Sequence, residues 1–202
     1  MTDTQGVDDL FNSPTISIEQ PGKLLATQAE YKILDARRQL LAVAEETDHR
    51  TRGQVLKAAL PIAPPPGAQV LLVRTEEQTP LLVLQKLDGG RVSEVRLPDG
   101  RLVGTIRAER TTRHYALLDG EGTRLGTITG DLSLRRFTLT DASNISLGHV
   151  TKKWAGLAKE LLTTADKYSL EISANAGSGL RVLFVMSAIV LDLTLHENLG
   201  GR

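Results

Sequence analysis

Apolar and polar residues alternate through a succession of short runs along this chain. They are TISIEQP from Thr15, EYKILD from Glu30, QVLLVRT, PLLVLQKL, RVSEVRL, LVGTIRAE, RHYALLD, RLGTITG, RRFTLT, ISLGHVTK and KYSLEI. An alternation of period two predicts strands with one buried face. Turn formers such as Asp88-Gly89-Gly90, Pro98-Asp99-Gly100 and Asp119-Gly120 separate the runs at spacings that suit an antiparallel meander rather than crossover helices. The chain therefore reads as mainly β.

A faint repeat lies within this pattern. YKILDARRQLLAVA, VRLPDGRLVGTI, YALLDGEGTRLGTI and FTLTDASNISLGHV each carry a strand, an aspartate, a turn and a second strand. The aspartates are Asp35, Asp99, Asp119 and Asp141, and the second strands hold Gly104, Gly126 and Gly148 at equivalent places. A short carboxylate in a turn satisfies local backbone N–H groups, so these aspartates are expected to serve turns rather than catalysis. The strand glycines suit tight bends or close packing in a curling sheet.

Three segments depart from period two. Arg52 to Leu60 forms a short helical run stopped by Pro61, followed by the stiff Pro64 to Pro66 connector. KKWAGLAKELLTTADKY has a second helical run with Trp154, Leu157, Leu161 and Leu162 on one face. The third is GLRVLFVMSAIVLDLTLHE, whose apolar part from Val182 to Leu191 is closed by Arg181 and Asp192. It falls short of the ~20 residues of a membrane-crossing helix and lacks the alternation of a strand. As a helix from about Leu180 to His196, N-capped by Ser178 and stopped by Gly200 and Gly201, it is greasy all round and must be surrounded by protein. Leu183, Phe184, Met186, Ile189 and Val190 are its expected core residues. A sheet of about a dozen strands closed around such a helix leaves no exposed edge and gives the helix a complete apolar wall.

The 202 residues suffice for one domain with a real core: a polar N-terminal tail over 1–13 and a barrel over 14–198, with the helix at about 180–196. Lys plus Arg equals Asp plus Glu at 24 each, which removes the broad cationic field of a nonspecific nucleic-acid binder. Cysteine is absent, so disulfides, thiolate metal sites and thiol nucleophiles are excluded. The N-terminus MTDTQGVDDLFNSPT lacks the basic start and apolar run of a secretory signal, which gives a cytoplasmic expectation, peripheral to a membrane if lipid is bound.

Enzyme signatures are missing. His49, His114, His149 and His196 fall in no ligand spacing, NAGSGL lacks the Walker lysine, and there is no GxSxG elbow. No catalytic residue and no cofactor are assigned. Basic residues near strand ends, Arg113, Arg135, Arg136, Lys152 and Lys153, are the candidates for phosphate head groups, weighed against ordinary solvated positions.

ISIEQPGKLLATQAEYKILDARRQLLAVAEE, GHVTKKWAGLAKELLTTADKYSLEI and the terminal helix ending LDLTLHE resemble the phospholipid scramblase-like and LURP-one-related family. The resemblance implies the Tubby C-terminal-like fold, a twelve-stranded antiparallel closed barrel around a central hydrophobic C-terminal helix. It also implies a role at membrane lipids, with a segment matching TTADKYSLEIS as a calcium site. Here Thr164 replaces the first acidic residue, leaving Asp166 and Glu171, too few charged oxygens for a calcium cage of six to eight. Three functions are carried forward. They are a non-catalytic barrel binding phospholipid or phosphoinositide head groups on anionic membranes, a structural module for a protein partner, and an active scramblase.

Overall fold

The computed structural model describes residues 7, 11–20, 29–47, 53–87, 91–109, 113–153 and 167–200, with the side chains of the last helix defined through Thr194. The strands are β1 (Thr15–Glu19), β2 (Glu30–Leu34), β3 (Leu40–Glu46), β4 (Gln69–Arg74), β5 (Pro80–Lys86), β6 (Val92–Arg96), β7 (Leu102–Ala108), β8 (His114–Asp119), β9 (Arg124–Gly130), β10 (Arg136–Asp141), β11 (Ser146–Lys153) and β12 (Lys167–Ile172). Each strand pairs with the next, and β1 pairs with β12, so the meander closes into a twelve-stranded barrel. All the pairings are antiparallel. An even strand number lets an up-and-down sheet close without a parallel seam, and closure removes the unpaired edges.

Helix α1 (Gln54–Ala59) lies outside the wall and α2 (Ser178–Gly200) fills the inside. Alternation sets the division. Ile16, Ile18, Val95, Ile128, Phe137, Leu139, Val150 and Leu170 point inward with 0 % exposure, while their strand neighbours are polar. β4 and β5 break the alternation because both of their faces are buried: Val70, Leu72 and Val83 turn outward beneath Leu56, Ala59 and Leu60 of α1. α2 starts at Ser178, two residues before the expected boundary, with the Gly177 carbonyl accepting from Arg181 N–H at 2.9 Å, so Ser178 lies within the first turn and is not the cap. Leu183, Phe184, Met186 and Ile189 are 0 % exposed and Val190 3 %. Val7 and Phe11, ahead of β1, also belong to the core.

Because consecutive strands alternate direction, the even-to-odd connections share one end of the barrel, here called the turn end. There β2–β3, β4–β5, β6–β7, β8–β9 and β10–β11 are joined by one five-residue device. Its fourth residue donates its N–H to the first residue's carbonyl and takes a left-handed conformation: Arg38 (φ 68), Gln78 (φ 66), Gly100 (φ 94), Gly122 (φ 85) and Asn144 (φ 62). A register shift accompanies each turn, as in hairpins that pair a type I turn with a bulge. Asp35, Asp119 and Asp141 accept two backbone N–H groups each at 2.8 to 2.9 Å, and Thr75 Oγ1 accepts from Thr79 N–H. Asp99 accepts only from Arg101 N–H at 3.0 Å among these and occupies the third position of its turn, where Leu97 holds the first. The repeat is therefore stricter than the aspartates suggest: its first positions are 75, 97, 119 and 141, each 22 residues after the last.

The glycines of β7, β9 and β11 keep the same 22-residue step, and two of them admit the helix. A Cβ on Gly104 would stand 2.8 Å from Leu183 Cδ1, and one on Gly126 3.1 Å from Leu180 Cδ1. A side chain there would meet the neighbouring strand first, with Leu118 O 2.3 Å from a Cβ on Gly104 and Thr140 O 2.4 Å from one on Gly126, and would crowd α2 as well.

Candidate functional site

Polar groups enter this apolar lumen at both ends. At the turn end the buried Arg181 guanidinium donates to the carbonyls of Phe11 (3.4 Å), Ser13 (3.3 Å) and Ser173 (2.8 Å). One side chain thus ties α2 to the segment before β1 and to the strand that precedes the helix. Eleven residues further along the helix, about 16 Å along its axis, Asp192 lies at the other end with 0 % exposure. Its Oδ2 accepts from Tyr31 Oη and its Oδ1 from Tyr168 Oη, both at 2.9 Å. Lys152 Nζ stands 4.0 Å from Oδ1 and 5.3 Å from the centre of the Tyr168 ring.

These groups come from β2, β11, β12 and α2, far apart in sequence, and meet because each is the last inward residue before its strand leaves the lumen. Lys152 follows Gly148 and Val150 on the inward face of β11, so it is turned toward Asp192 with its side chain only 12 % exposed. It is not on the outer surface with Arg135, Arg136 and Lys153. The alternation of ISLGHVTK already contained that orientation, but a lysine reads as solvated until an internal carboxylate is known to face it.

All three tyrosines of the chain are buried in the lumen. Burial, reinforced by the Asp192 charge and hydrogen bond, holds the Tyr31 phenol far above its ordinary value, and burial pushes Tyr115 up to about 12. A phenol with a raised folded pKa contributes stability that is complete below the unfolded value near 10 and is lost as pH rises through the folded value. Above about pH 10 the unfolded chain releases these protons first, at about 1.4 kcal/mol per pH unit for each phenol. The expected outcome is alkaline unfolding between about pH 10 and 12, with phenolate absorbance rising together with loss of the β-sheet dichroism. Phenolate appearing near pH 10 in a fully folded protein would contradict it.

The end that holds Asp192 also gathers the basic residues. Gly130 N–H donates to Arg113 O and Lys152 N–H to Arg135 O, both at 2.7 Å, which places Arg113, Arg135, Arg136, Lys152 and Lys153 at the same end of the adjacent strands β8 to β11. Arg135, Arg136 and Lys153 are exposed. Asp131, the carboxylate within the β9–β10 turn, accepts from Ser133 Oγ at 2.9 Å and from the N–H groups of Arg135 (3.0 Å) and Arg136 (3.4 Å). The turn end has the opposite character. Its five turns carry Asp35, Glu76, Glu77, Asp99, Asp119, Glu121 and Asp141 against Arg37, Arg38 and Arg101. Carboxylate-rich turns thus lie at one end of the barrel and the basic cluster of β8 to β11 at the other.

Of the calcium candidates, Asp166 lies outside the described residues, as do Trp154, Leu157, Leu161 and Leu162. Glu171 projects from the outer face of β12 with its carboxylate 3.4 Å from His149 Nε2. Among the described residues no three His, Asp or Glu side chains group to hold a metal, and Glu171 alone cannot supply the six to eight oxygens that calcium takes. The outer wall carries Glu45 paired with Arg74, Glu94 with Arg96 and a row of threonines, the reverse of a barrel wall that faces lipid. Among the described residues no helix is long and apolar enough to cross a membrane.

A family model described as Scramblase matches residues 4–198. No curated protein matches the chain. A protein from Arabidopsis thaliana with a known X-ray structure is similar in fold, with a TM-score of 0.52 and 14 % identity over 96 % of each chain.

Proposed function

The chain belongs to the Scramblase family, and from that premise we propose that it is a non-catalytic barrel that binds anionic phospholipid or phosphoinositide head groups at a membrane surface. The observation that carries this reading is the convergence of Arg113, Arg135, Arg136 and Lys153 on one end of four adjacent strands, opposite an acidic end. Guanidinium groups suit phosphate because their planar donor fork matches two oxygens at once. Each basic residue near an anionic leaflet contributes about 1 kcal/mol, so several must act together. Lys152 has a different part, since its ammonium is turned to Asp192; it fixes the rim from below.

The test is cosedimentation with phosphatidylcholine vesicles, with and without phosphatidylserine or a phosphoinositide. Binding is expected only to the anionic vesicles and is expected to fall as salt is raised. The double variant Arg135→Glu, Arg136→Glu should weaken binding by at least about tenfold. Failure to pellet with anionic vesicles at low salt overturns the reading and favours a protein-binding module.

A further inference from the structure

Three large apolar side chains stand out from the described surface: Ile62 at 85 %, Leu132 at 89 % and Ile145 at 60 % exposure. Ile62 follows α1, whose last turn reaches the β6–β7 turn at Gly100, and Ile145 closes the β10–β11 turn. Both therefore lie toward the acidic end. Leu132 lies in the β9–β10 turn at the basic end.

Over its first four residues that turn resembles those of the other end, with Leu134 N–H donating to Asp131 O at 3.2 Å and Leu134 left-handed at φ 54, but it closes one residue later, on Arg136 O. Leu132 is its second residue. In the five turns of the acidic end the second residue is Ala36, Glu76, Pro98, Gly120 or Ala142. The geometry thus accepts small, charged or cyclic residues and does not call for a large apolar one. Leu132 does not serve the core either, whereas Leu134 in the same turn packs against it. The Asp131 carboxylate and the Asp131 N–H to Arg136 O bond of 2.9 Å hold the tip in a fixed shape. An apolar side chain on a tip whose one carboxylate, Asp131, is engaged by Ser133 and the backbone, with Arg135 and Arg136 at its base, has the make-up of a group that enters a bilayer interface while its basic neighbours take head groups.

We propose that the β9–β10 turn is a membrane-inserting tip. The barrel docks end-on against an anionic bilayer, Leu132 enters the interface, and Arg113, Arg135, Arg136 and Lys153 meet the phosphates around it. This rests on the head-group reading above and adds to it an orientation and an anchor. Charge selects the occupant and the direction: Arg113, Arg135, Arg136 and Lys153 draw their end to an anionic surface, and the turns bearing Asp35, Glu76, Glu77, Asp119 and Asp141 face away from it.

The absence of cysteine makes the test direct, because Leu132→Cys and Ile145→Cys each create a single labelling site. Each variant carries a nitrobenzoxadiazole fluorophore and is mixed at low salt with phosphatidylcholine vesicles containing phosphatidylserine. A blue shift and intensity gain are expected at position 132, no change at 145, and neither with phosphatidylcholine alone. Unlabelled Leu132→Asp should bind the anionic vesicles about tenfold more weakly with an unaltered unfolding curve. Vesicle binding without a response at position 132 overturns the insertion and leaves the head-group reading standing. Equal responses at 132 and 145 overturn the orientation. No binding of the unaltered chain overturns both.

Discussion

A chain ending before Ser178 is expected not to fold cooperatively: it should aggregate, and any soluble fraction should show no sharp urea or thermal transition by circular dichroism. The reason is quantitative. Leu183, Phe184, Val185, Met186 and Ile189 of α2 are each 0 % exposed, and Val182, Val190 and Leu191 at most 3 %. Fully burying a side chain of this size contributes about 1.5 to 3 kcal/mol, so these eight together match or exceed the ~5 to 15 kcal/mol net stability of an ordinary domain. Without the helix, the inward faces of the strands would line a long apolar void that close-packed interiors do not tolerate. Removal of Arg181 also unties the segment before β1 from the barrel. A soluble, cooperatively unfolding remainder would show instead that α2 is detachable and would reopen a model in which it inserts into a bilayer.

Asp192→Ala is expected to lower stability by about 3 to 5 kcal/mol, the range for breaking a buried, hydrogen-bonded charge cluster by removing one partner. The carboxylate is the acceptor for two phenols and stands 4.0 Å from the Lys152 ammonium, so its loss removes two buried hydrogen bonds and a buried opposite charge. Asp192→Asn keeps the shape and one acceptor and should cost less. Lys152→Met added to Asp192→Ala should recover part of the loss, because it withdraws the ammonium from which the first change took a buried carboxylate 4.0 Å away. Urea midpoints of the four proteins decide the matter, and Asp192→Asn and the double variant against the unaltered chain still do so if Asp192→Ala proves too unstable to purify. Equal midpoints for Asp192→Ala and the unaltered chain would deny the cluster its role. A coupled Tyr31–Asp192–Tyr168 set also fixes the axial position of α2 against β2 and β12, which gives the cluster a registering role as well as an energetic one.

Much of this was legible from residue order. Period-two runs gave the strands because a one-sided buried strand has no other pattern, and the aspartate turns at 35, 119 and 141 formed as the chemistry of a short carboxylate dictates. The exact repeat was harder to see because Asp99 mimics the others while Leu97 and Thr75 hold the equivalent places. Turn position is set by backbone geometry, and residue identity marks it only where the side chain is the acceptor. Arg181 and Asp192 were visible as the ends of an apolar run. Their burial was implicit in a helix enclosed on every side, where an ionisable group must find partners. Which partners could not be read, since Tyr31, Tyr168 and Lys152 come from strands that are adjacent to the helix only once the barrel has closed.

The sequence by itself determined the strand class, the single greasy helix, the absence of thiol chemistry and the turns, because these depend on interactions within a few residues or on composition. The tertiary structure alone decided the closure of β1 on β12, the meeting of Lys152 with Asp192, the grouping of Arg113, Arg135, Arg136 and Lys153, and the placing of the carboxylate-rich turns at the opposite end. The physical reason is that these properties belong to register and strand direction around a closed sheet. A residue's end of the barrel follows from the parity of its strand, and its neighbours from pairings that span the whole chain.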